Sequence, residues 1–284
     1  VIGGYCGATE NDNVIWSFDD SDGTLTISGS GAMATYGFAT PAPWSTFYTT
    51  IENVVIEKGV KNISDCAFSD YYSKIKSITL PDSVTTIGEG AFIDCTALTS
   101  VTIPASVTTI GDYAFRDCVA LATVTIGDSV TTIGEAAFYG CSELTSVTIG
   151  NGVTEIDDSA FEGCEDVNLI VEPGSYAHEF ATTNSIPYTF NGYTEEETAQ
   201  IEKLTFTLNA DSESYSVTFC NTQISGELKI PATYNGKPVT EIGKNAFSFP
   251  KTFLKAHFER IPRGTSSSFD ISSKKYSSIK LNFS

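Results

Sequence analysis

Four cysteines recur at a fixed interval, and they are the first residues here whose type and spacing could carry chemistry. Cys95, Cys118, Cys141 and Cys164 are each 23 residues apart. Structural zinc sites use close pairs such as C-x-x-C, which the chain lacks, so we expect no metal site. Disulfides between neighbouring copies remain an alternative on distance, although each bond would pair two copies and disturb the equal spacing. We therefore interpret these residues as a column of buried free thiols that act as small apolar fillers, with no cofactor.

Acidic residues form a second periodic set. One position of the period holds Glu89, Asp112, Glu135 and Asp158, and two others hold Asp82 with Asp128 and Asp94 with Asp117. Like charges stacked about 5 Å apart repel each other, and a Ca²⁺ ion would relieve that repulsion. The alternative, which we favour, is a solvated acidic stripe that keeps the chain in solution. Asp20, Asp22 and Gly23 resemble the start of an EF-hand loop, but the later glutamate is missing, and the segment predicts a hairpin turn.

The sequence contains few residues that could carry out nucleophilic catalysis. The two histidines are His178 and His257, and neither lies near a G-x-S-x-G elbow or a catalytic cysteine signature. Paired carboxylates could still hydrolyse a glycoside, but that chemistry needs a pocket that desolvates one acid, and a short regular repeat offers a surface. The sequence therefore predicts a protein that is not an enzyme, with a carboxylate-dependent hydrolase as an alternative.

The cysteines and acids belong to a 23-residue unit that recurs without a break. Its four copies are residues 75–97, 98–120, 121–143 and 144–166. In the second copy, Leu98, Val101 and Ile103 follow the spacing of a short strand with one apolar face. A phenylalanine recurs at Phe92, Phe115, Phe138 and Phe161, and we expect these rings to stack in one buried column. A unit this short cannot close its own core, so each copy must pack on the next, as in a solenoid.

The pattern L-x-x-V-x-I-P-x-x-V-x-x-I-G-x-x-A-F-x-x-C resembles the leucine-rich repeats of the BspA-like family, also called the Treponema pallidum type. The resemblance covers about residues 51–166, where 51–74 is a diverged first copy with Ala67 and Phe68. It implies a mostly β solenoid with an N-terminal β-hairpin cap and few short helices. It also implies a cell-surface or secreted protein that takes part in adhesion or in binding host or matrix proteins.

The chain divides by pattern into four segments. We expect an N-terminal β cap over 1–50 and a repeat array over 51–190, with a capping helix near 175–183. Residues 191–203 include three consecutive glutamates and are interpreted as an exposed connector. A second, diverged repeat segment is expected over 204–284. Its last part, 250–284, holds 7 Lys+Arg and 2 Asp+Glu. That part is either degenerate repeat, with Ala256 and Phe258 in strand positions, or an atypical tail.

Bulk composition limits the classes of partner. The formal net charge is −19, whereas nucleic acids and anionic membranes select basic surfaces. No apolar run approaches the roughly 18–20 residues of a membrane-spanning helix. Residues 1–4 lack the charged start and apolar core of a signal peptide, so a secreted form would be mature or trimmed. We therefore expect an extracellular protein or glycan as partner, with no nucleic acid and no membrane insertion.

The remaining candidate site is the outward face of the repeat strands. Its predicted residues are Ser77, Thr79, Ser100, Thr102, Thr123, Thr125, Ser146 and Thr148. A purely structural interpretation is that threonine favours strands and solvates a sheet face. The functional interpretation is a flat, uncharged platform that binds a protein or, alternatively, a carbohydrate, since repeat surfaces commonly bind extended partners. Tyr71, Tyr72, Tyr113 and Tyr139 are candidate aromatic contacts at the rim.

Overall fold

The computed structural model describes residues 1–37, 39–69, 73–220, 226–243, 246, 254–258 and 282–283. The chain forms two compact units, which are Val1–Ile170 with Glu179–Tyr188, and Val171–His178 with Thr189–Ser284. The first unit contains the repeats that are evident in the sequence. The boundaries of the four predicted segments stay a prediction.

The N-terminal cap is an antiparallel sheet of β1 (Ile2–Tyr5), β2 (Asn13–Asp19) and β3 (Thr24–Ser30). Residues 20–23 turn the predicted hairpin, and Gly23 takes a left-handed conformation with φ of 69°. Strand β4 (Asn53–Ile56) then pairs in parallel with β3. The cap therefore covers the first edge of the array, as the predicted fold requires.

Each turn of the array contributes a strand to both of its sides. In chain order, the strands that follow β4 are β5 (Asn62–Ile63), β6 (Ser77–Thr79), β7 (Thr86–Ile87), β8 (Ser100–Ile103), β9 (Thr109–Ile110), β10 (Thr123–Ile126), β11 (Thr132–Ile133), β12 (Ser146–Ile149), β13 (Glu155–Ile156) and β14 (Asn168–Val171). The odd-numbered strands from β5 to β13 form one parallel sheet, the back sheet. The even-numbered strands form the front face: β4 and β6 extend the cap sheet, and β8 to β14 form a second sheet beside it.

The register of the sheets follows the repeat. Val124 on β10 lies opposite Val101 on β8 and Val147 on β12, so equivalent residues of successive copies are direct neighbours. Gly111 shows how closely the turns approach, because a Cβ there would lie 2.7 Å from the carbonyl carbon of Gly88. The predicted solenoid is confirmed.

The aromatic column fills the centre of this solenoid. The rings of Phe68, Phe92, Phe115, Phe138 and Phe161 stack with centroid separations of 5.2, 5.2, 5.3 and 5.4 Å. Trp44, which precedes a 3-10 helix (Ser45–Phe47), stacks on Phe68 at 5.6 Å and starts the column. Its indole N–H donates to the carbonyl oxygen of Ala67 over 3.0 Å. The predicted phenylalanine column is confirmed, and the indole ring of Trp44 extends it by one ring beyond the repeats.

Helix α1 (Tyr176–Thr183) ends the column. Phe180 lies 6.2 Å from Phe161 with its ring tilted by 59°, so the helix covers the last stacked ring. The Ser175 hydroxyl accepts a hydrogen bond from the His178 backbone N–H over 3.2 Å, which is the predicted N-cap. Strand β15 (Tyr188–Phe190) follows and lies next to β14.

Residues 191–203 differ from the exposed connector expected from the sequence, because they contain helix α2 (Glu195–Ile201). Thr194 and Glu197 form a capping box, in which each side chain accepts the backbone N–H of the other residue. The consecutive glutamates lie in the first turn, where the helix dipole favours negative charge. Thr198 and Ile201 are buried, so the segment is only partly exposed.

The diverged segment forms two further sheets within the second unit. Its strands are β16 (Leu204–Leu208), β17 (Tyr215–Cys220), β18 (Gly226–Ile230), β19 (Thr233–Tyr234), β20 (Lys237–Ile242), β21 (Leu254–Phe258) and β22 (Asn282–Phe283). The sheets have the orders β16-β17-β20-β19 and β18-β21-β22. Asn235 and Gly236, with φ of 48° and 68°, make the predicted turn between β19 and β20. Ala256 and Phe258 lie opposite Leu228 and Ile230, where a degenerate repeat would place them. Most of 250–284 lies outside the described residues.

Candidate interaction surfaces

The eight predicted platform residues lie in two longer rows that cross the front face, which we call the front rows. The first row is Asn53, Ser77, Ser100, Thr123, Ser146 and Asn168, and the second is Val55, Thr79, Thr102, Thr125, Thr148 and Ile170. Every residue in these rows is exposed or half-buried, while the residues between them face the core. No charged residue occupies either row, although the chain has a net charge of −19.

Most hydroxyls of the front rows have no partner within the described part of the chain. Ser77 is an exception, since its Oγ donates to Oδ1 of Asn53 over 2.7 Å. The hydroxyls of Thr102, Thr125 and Thr148 make no hydrogen bond to the described residues. Each of these hydroxyls can therefore both donate and accept a hydrogen bond to a partner or to water.

A second set of threonines, just before the back-sheet strands, behaves differently. We call Thr85, Thr108, Thr131 and Thr154 the back ladder. Their hydroxyls donate to the carbonyl oxygens of Lys61, Thr85, Thr108 and Thr131 over 3.1, 3.2, 3.1 and 3.4 Å, each one turn earlier. Thr145, just before β12, makes the same kind of bond to the Ala122 carbonyl oxygen. Threonines that precede strands thus link successive turns, whereas Thr102, Thr125 and Thr148, which lie within front-face strands, make no such bond to the described residues.

The front rows extend beyond the residues predicted from the sequence. Asn53 and Asn168 occupy the position that Ser100 has in its own copy, so a complete alignment of the copies would have found them. Ser17 and Thr26 continue the second row onto the cap, because Thr26 lies opposite Val55. That extension depends on the parallel pairing of β3 with β4, and no sequence signal marks it.

The cysteine column lies in the core. Cys95, Cys118, Cys141 and Cys164 are buried and free, and each thiol donates to the carbonyl oxygen of a phenylalanine in an earlier turn, at 3.6, 3.1, 3.2 and 3.1 Å. Burial raises the pKa of the Cys118 thiol, and burial raises the pKa of Cys6 to about 12. Cys6 and Cys118 therefore stay protonated, whereas a hydrogen bond with the Cys141 thiol lowers the pKa of Cys164. The burial of all four column residues matches the predicted space-filling role.

Two carboxylates of the acidic stripe accept hydrogen bonds from backbone N–H groups. Oδ1 of Asp65 accepts the N–H of Glu89, and Oδ1 of Asp112 accepts the N–H of Glu135, over 2.9 and 2.8 Å. Side chains of the stripe thus link one turn to the next. Across the described residues, no three of the Asp, Glu, His and Cys side chains come together as a group that could hold a metal ion.

Tyr113 and Tyr139 lie at a corner of the array, with Arg116 between them. The Cζ atom of Arg116 is 5.8 Å from the Tyr113 ring centroid and 5.3 Å from that of Tyr139. Tyr113 donates its hydroxyl hydrogen to Glu135 over 2.5 Å, and this bond raises the pKa of Tyr113 above its usual value. Tyr71 and Tyr72, the other predicted rim residues, lie outside the described residues.

The side chain of His178 links parts of the second unit. Its Nδ1 accepts the N–H of Gly174, and its Nε2 lies 3.1 Å from Oε1 of Glu202. The imidazole edge packs on the Phe190 ring at 5.0 Å. These contacts fit the structural role that the sequence favours. No helix among the described residues is long and apolar enough to cross a membrane.

Comparison with known proteins finds a family model that matches part of the chain. Residues 45–168 match the BspA type leucine-rich repeat region in six copies, two more than the four unbroken ones. A leucine-rich repeat protein from Eubacterium ventriosum is similar in structure, with 23% identity and a TM-score of 0.51, and the match covers 91% of this chain and 66% of that one. The leucine-rich repeat protein of T. pallidum has 24% identity and a TM-score of 0.44, with coverage of 62% and 94%.

At this identity the Eubacterium ventriosum structure shows likeness of fold alone. No curated protein sequence matches the chain. The assignment therefore rests on the six repeat copies and on their stacked strands, phenylalanines and cysteines. Residues 45–168 are thus a BspA type leucine-rich repeat region, and they fold as a β solenoid.

Proposed function

We propose that this chain is a non-enzymatic interaction protein, at a cell surface or secreted, that binds an extracellular protein through its front rows. Adhesion to a host or matrix protein is the proposed setting. The observation that carries the proposal is the contrast between two threonine sets. Hydroxyls of the back ladder bond to the chain itself, whereas those of Thr102, Thr125 and Thr148 make no hydrogen bond to any residue that the structure describes.

Charge supports the same surface. The front rows are uncharged in a strongly acidic chain, and the cores of protein interfaces are depleted of charged residues. They span successive parallel strands, so an extended partner could contact several turns at once. The match to the BspA type repeat region supports localisation at the cell surface or in the medium.

A protein fits the front rows better than a glycan does. The rows contain no aromatic ring on which a sugar could stack, while their hydroxyls can pair with the backbone and side-chain polar groups of a protein. They contain no carboxylate either, so paired-acid hydrolysis of a glycoside has no acid at this surface.

Two binding screens test the proposal. The labelled chain is applied to a panel of purified extracellular matrix proteins and to a glycan array. We expect saturable binding to at least one protein, and we expect Thr125→Arg to weaken it, because a long charged side chain would stand in the platform. Binding to glycans alone would favour the carbohydrate-binding alternative, and unchanged binding by the variant would remove the front rows as the site.

A further inference from the structure

One corner of the array departs from the repeat. The same position holds Ile93, Arg116, Tyr139 and Glu162 in successive copies, so a cation, a ring and a carboxylate follow one another. Arg116 is also the one basic residue in residues 77–170, where fourteen residues are acidic. We call Tyr113, Arg116, Tyr139 and Glu162 the corner patch.

The corner patch already holds one guanidinium group. Arg116 lies over the rings of Tyr113 and Tyr139, and its Nε donates to Oδ2 of Asp117 over 3.1 Å. Cation–π contact of this kind favours arginine over the ring faces of tyrosine. The chain's own side chain therefore shows that the tyrosines at this corner can accept a guanidinium.

Tyr113 is kept in an unfavourable backbone conformation. Its φ is 58°, a left-handed value that crowds the Cβ atom of a non-glycine residue. The equivalent residues of neighbouring turns, Cys66, Gly90 and Ala136, have φ values of 50°, 58° and 49°, so the left-handed conformation belongs to this position of the repeat. The repeat therefore fixes the backbone from which the Tyr113 ring contacts Arg116.

Beyond Tyr139, the residue type at the neighbouring position of the repeat changes. Asp117 follows Arg116 and Asp94 follows Ile93, but glycines, Gly140 and Gly163, follow Tyr139 and Glu162. Tyr139 is half-buried and Glu162 is exposed. The next turn therefore offers one ring and one carboxylate, with no side chain at the adjacent position.

We propose that the corner patch binds an arginine side chain of a basic protein segment, with the guanidinium over Tyr139 and paired with Glu162. The excess of acidic residues attracts a basic segment over a distance, and the ring and carboxylate hold its arginine at contact. The patch is separate from the front rows and does not depend on their proposed function.

A short amidated peptide that alternates glycine and arginine is the probe. Its affinity is measured by fluorescence anisotropy at low and at physiological ionic strength, beside the same peptide with glutamate in place of arginine. We expect the arginine peptide to bind and the glutamate peptide not to bind. Tyr139→Leu and Glu162→Gln should each weaken binding by about fivefold, the effect of one cation–π or charged contact.

Two matched controls separate the site from general attraction. Glu155→Gln removes one exposed carboxylate from the back sheet, and Tyr48→Leu removes one exposed ring elsewhere; each should change the affinity by less than about twofold. Equal weakening by Glu162→Gln and Glu155→Gln would overturn the proposal, as would unchanged binding by Tyr139→Leu or tighter binding of the glutamate peptide. Circular dichroism melts confirm that every variant is folded.

Discussion

The hydroxyl of Thr131 donates a hydrogen bond to the carbonyl oxygen of Thr108, one turn earlier in the array, over 3.1 Å. Thr125, which lies on the front face between these two residues in sequence, has a hydroxyl without such a bond in the described part of the chain. The array therefore uses one residue type in two ways. This difference has separate consequences for stability and for binding.

Removal of the two hydroxyls should have different effects on stability. Thr131→Val should lower the free energy of unfolding by roughly 0.5–1.5 kcal/mol, because it deletes a bond between turns. Thr125→Val should change it by less than about 0.5 kcal/mol, since both residues favour strands. Chemical denaturation measures both values. Equal losses would mean that the front hydroxyls also stabilise the array.

The phenylalanine column should contribute strongly to stability. Phe115 is fully buried between two stacked rings, so Phe115→Ala should cost roughly 3–5 kcal/mol in the free energy of unfolding. Val119→Ala, at an exposed position nearby, is the control and should cost less than about 1 kcal/mol. A loss below about 1 kcal/mol for Phe115→Ala would show that the column is not a packed core.

The thiols should differ in their rate of reaction with a thiol reagent, because they differ in solvent exposure. In the folded protein, burial raises the pKa of Cys118 and suppresses its thiolate, so a thiol reagent should react slowly with the column. Cys66 is half-buried and should react first, and Cys66→Ser should remove that fast phase. After unfolding without reductant, titration should count seven thiols. A smaller count would reveal a disulfide.

Acid should weaken the cap through Asp12. The N–H of Ala32 and the hydroxyl of Thr9 donate to its carboxylate and lower the pKa of Asp12 below 3.8. A lowered pKa adds stability above the unfolded-state value, and this stability is lost as pH falls through the folded-state value. Denaturation at a series of pH values below about pH 5 should therefore show a smaller acid-induced loss for Asp12→Asn. Asp20→Asn, at an exposed turn position, is the control, and parallel curves for wild type and Asp12→Asn would contradict the assignment.

The core was predictable because its signal is periodic. Phe115 has equivalents 23 residues before and after it, and only a stack of turns satisfies that spacing. Helix α2 was missed because three glutamates in a row are typical of exposed loops as well as of first helical turns. Thr194 and Glu197, at capping-box spacing, were the signal that distinguishes the two.

The candidate surfaces were only partly predictable. Strand alternation placed Thr102 and Thr125 on the outside, and the structure has them there. The bond from Thr131 depends on the offset between consecutive turns, and the position of Arg116 between two rings depends on side-chain conformation. Neither the offset between turns nor the conformation of the Arg116 side chain can be inferred from the sequence, so both required the structure.

The central claim is that the front rows bind a protein and the back ladder does not. Its most direct test measures the affinity for a matrix protein found in the binding screen, by surface plasmon resonance, for two folded double variants. Thr102→Arg with Thr125→Arg should weaken binding by about tenfold or more, the effect of losing an interface centre. Thr108→Arg with Thr131→Arg should leave the affinity within about twofold of the wild type. Equal affinities for both double variants would contradict the claim.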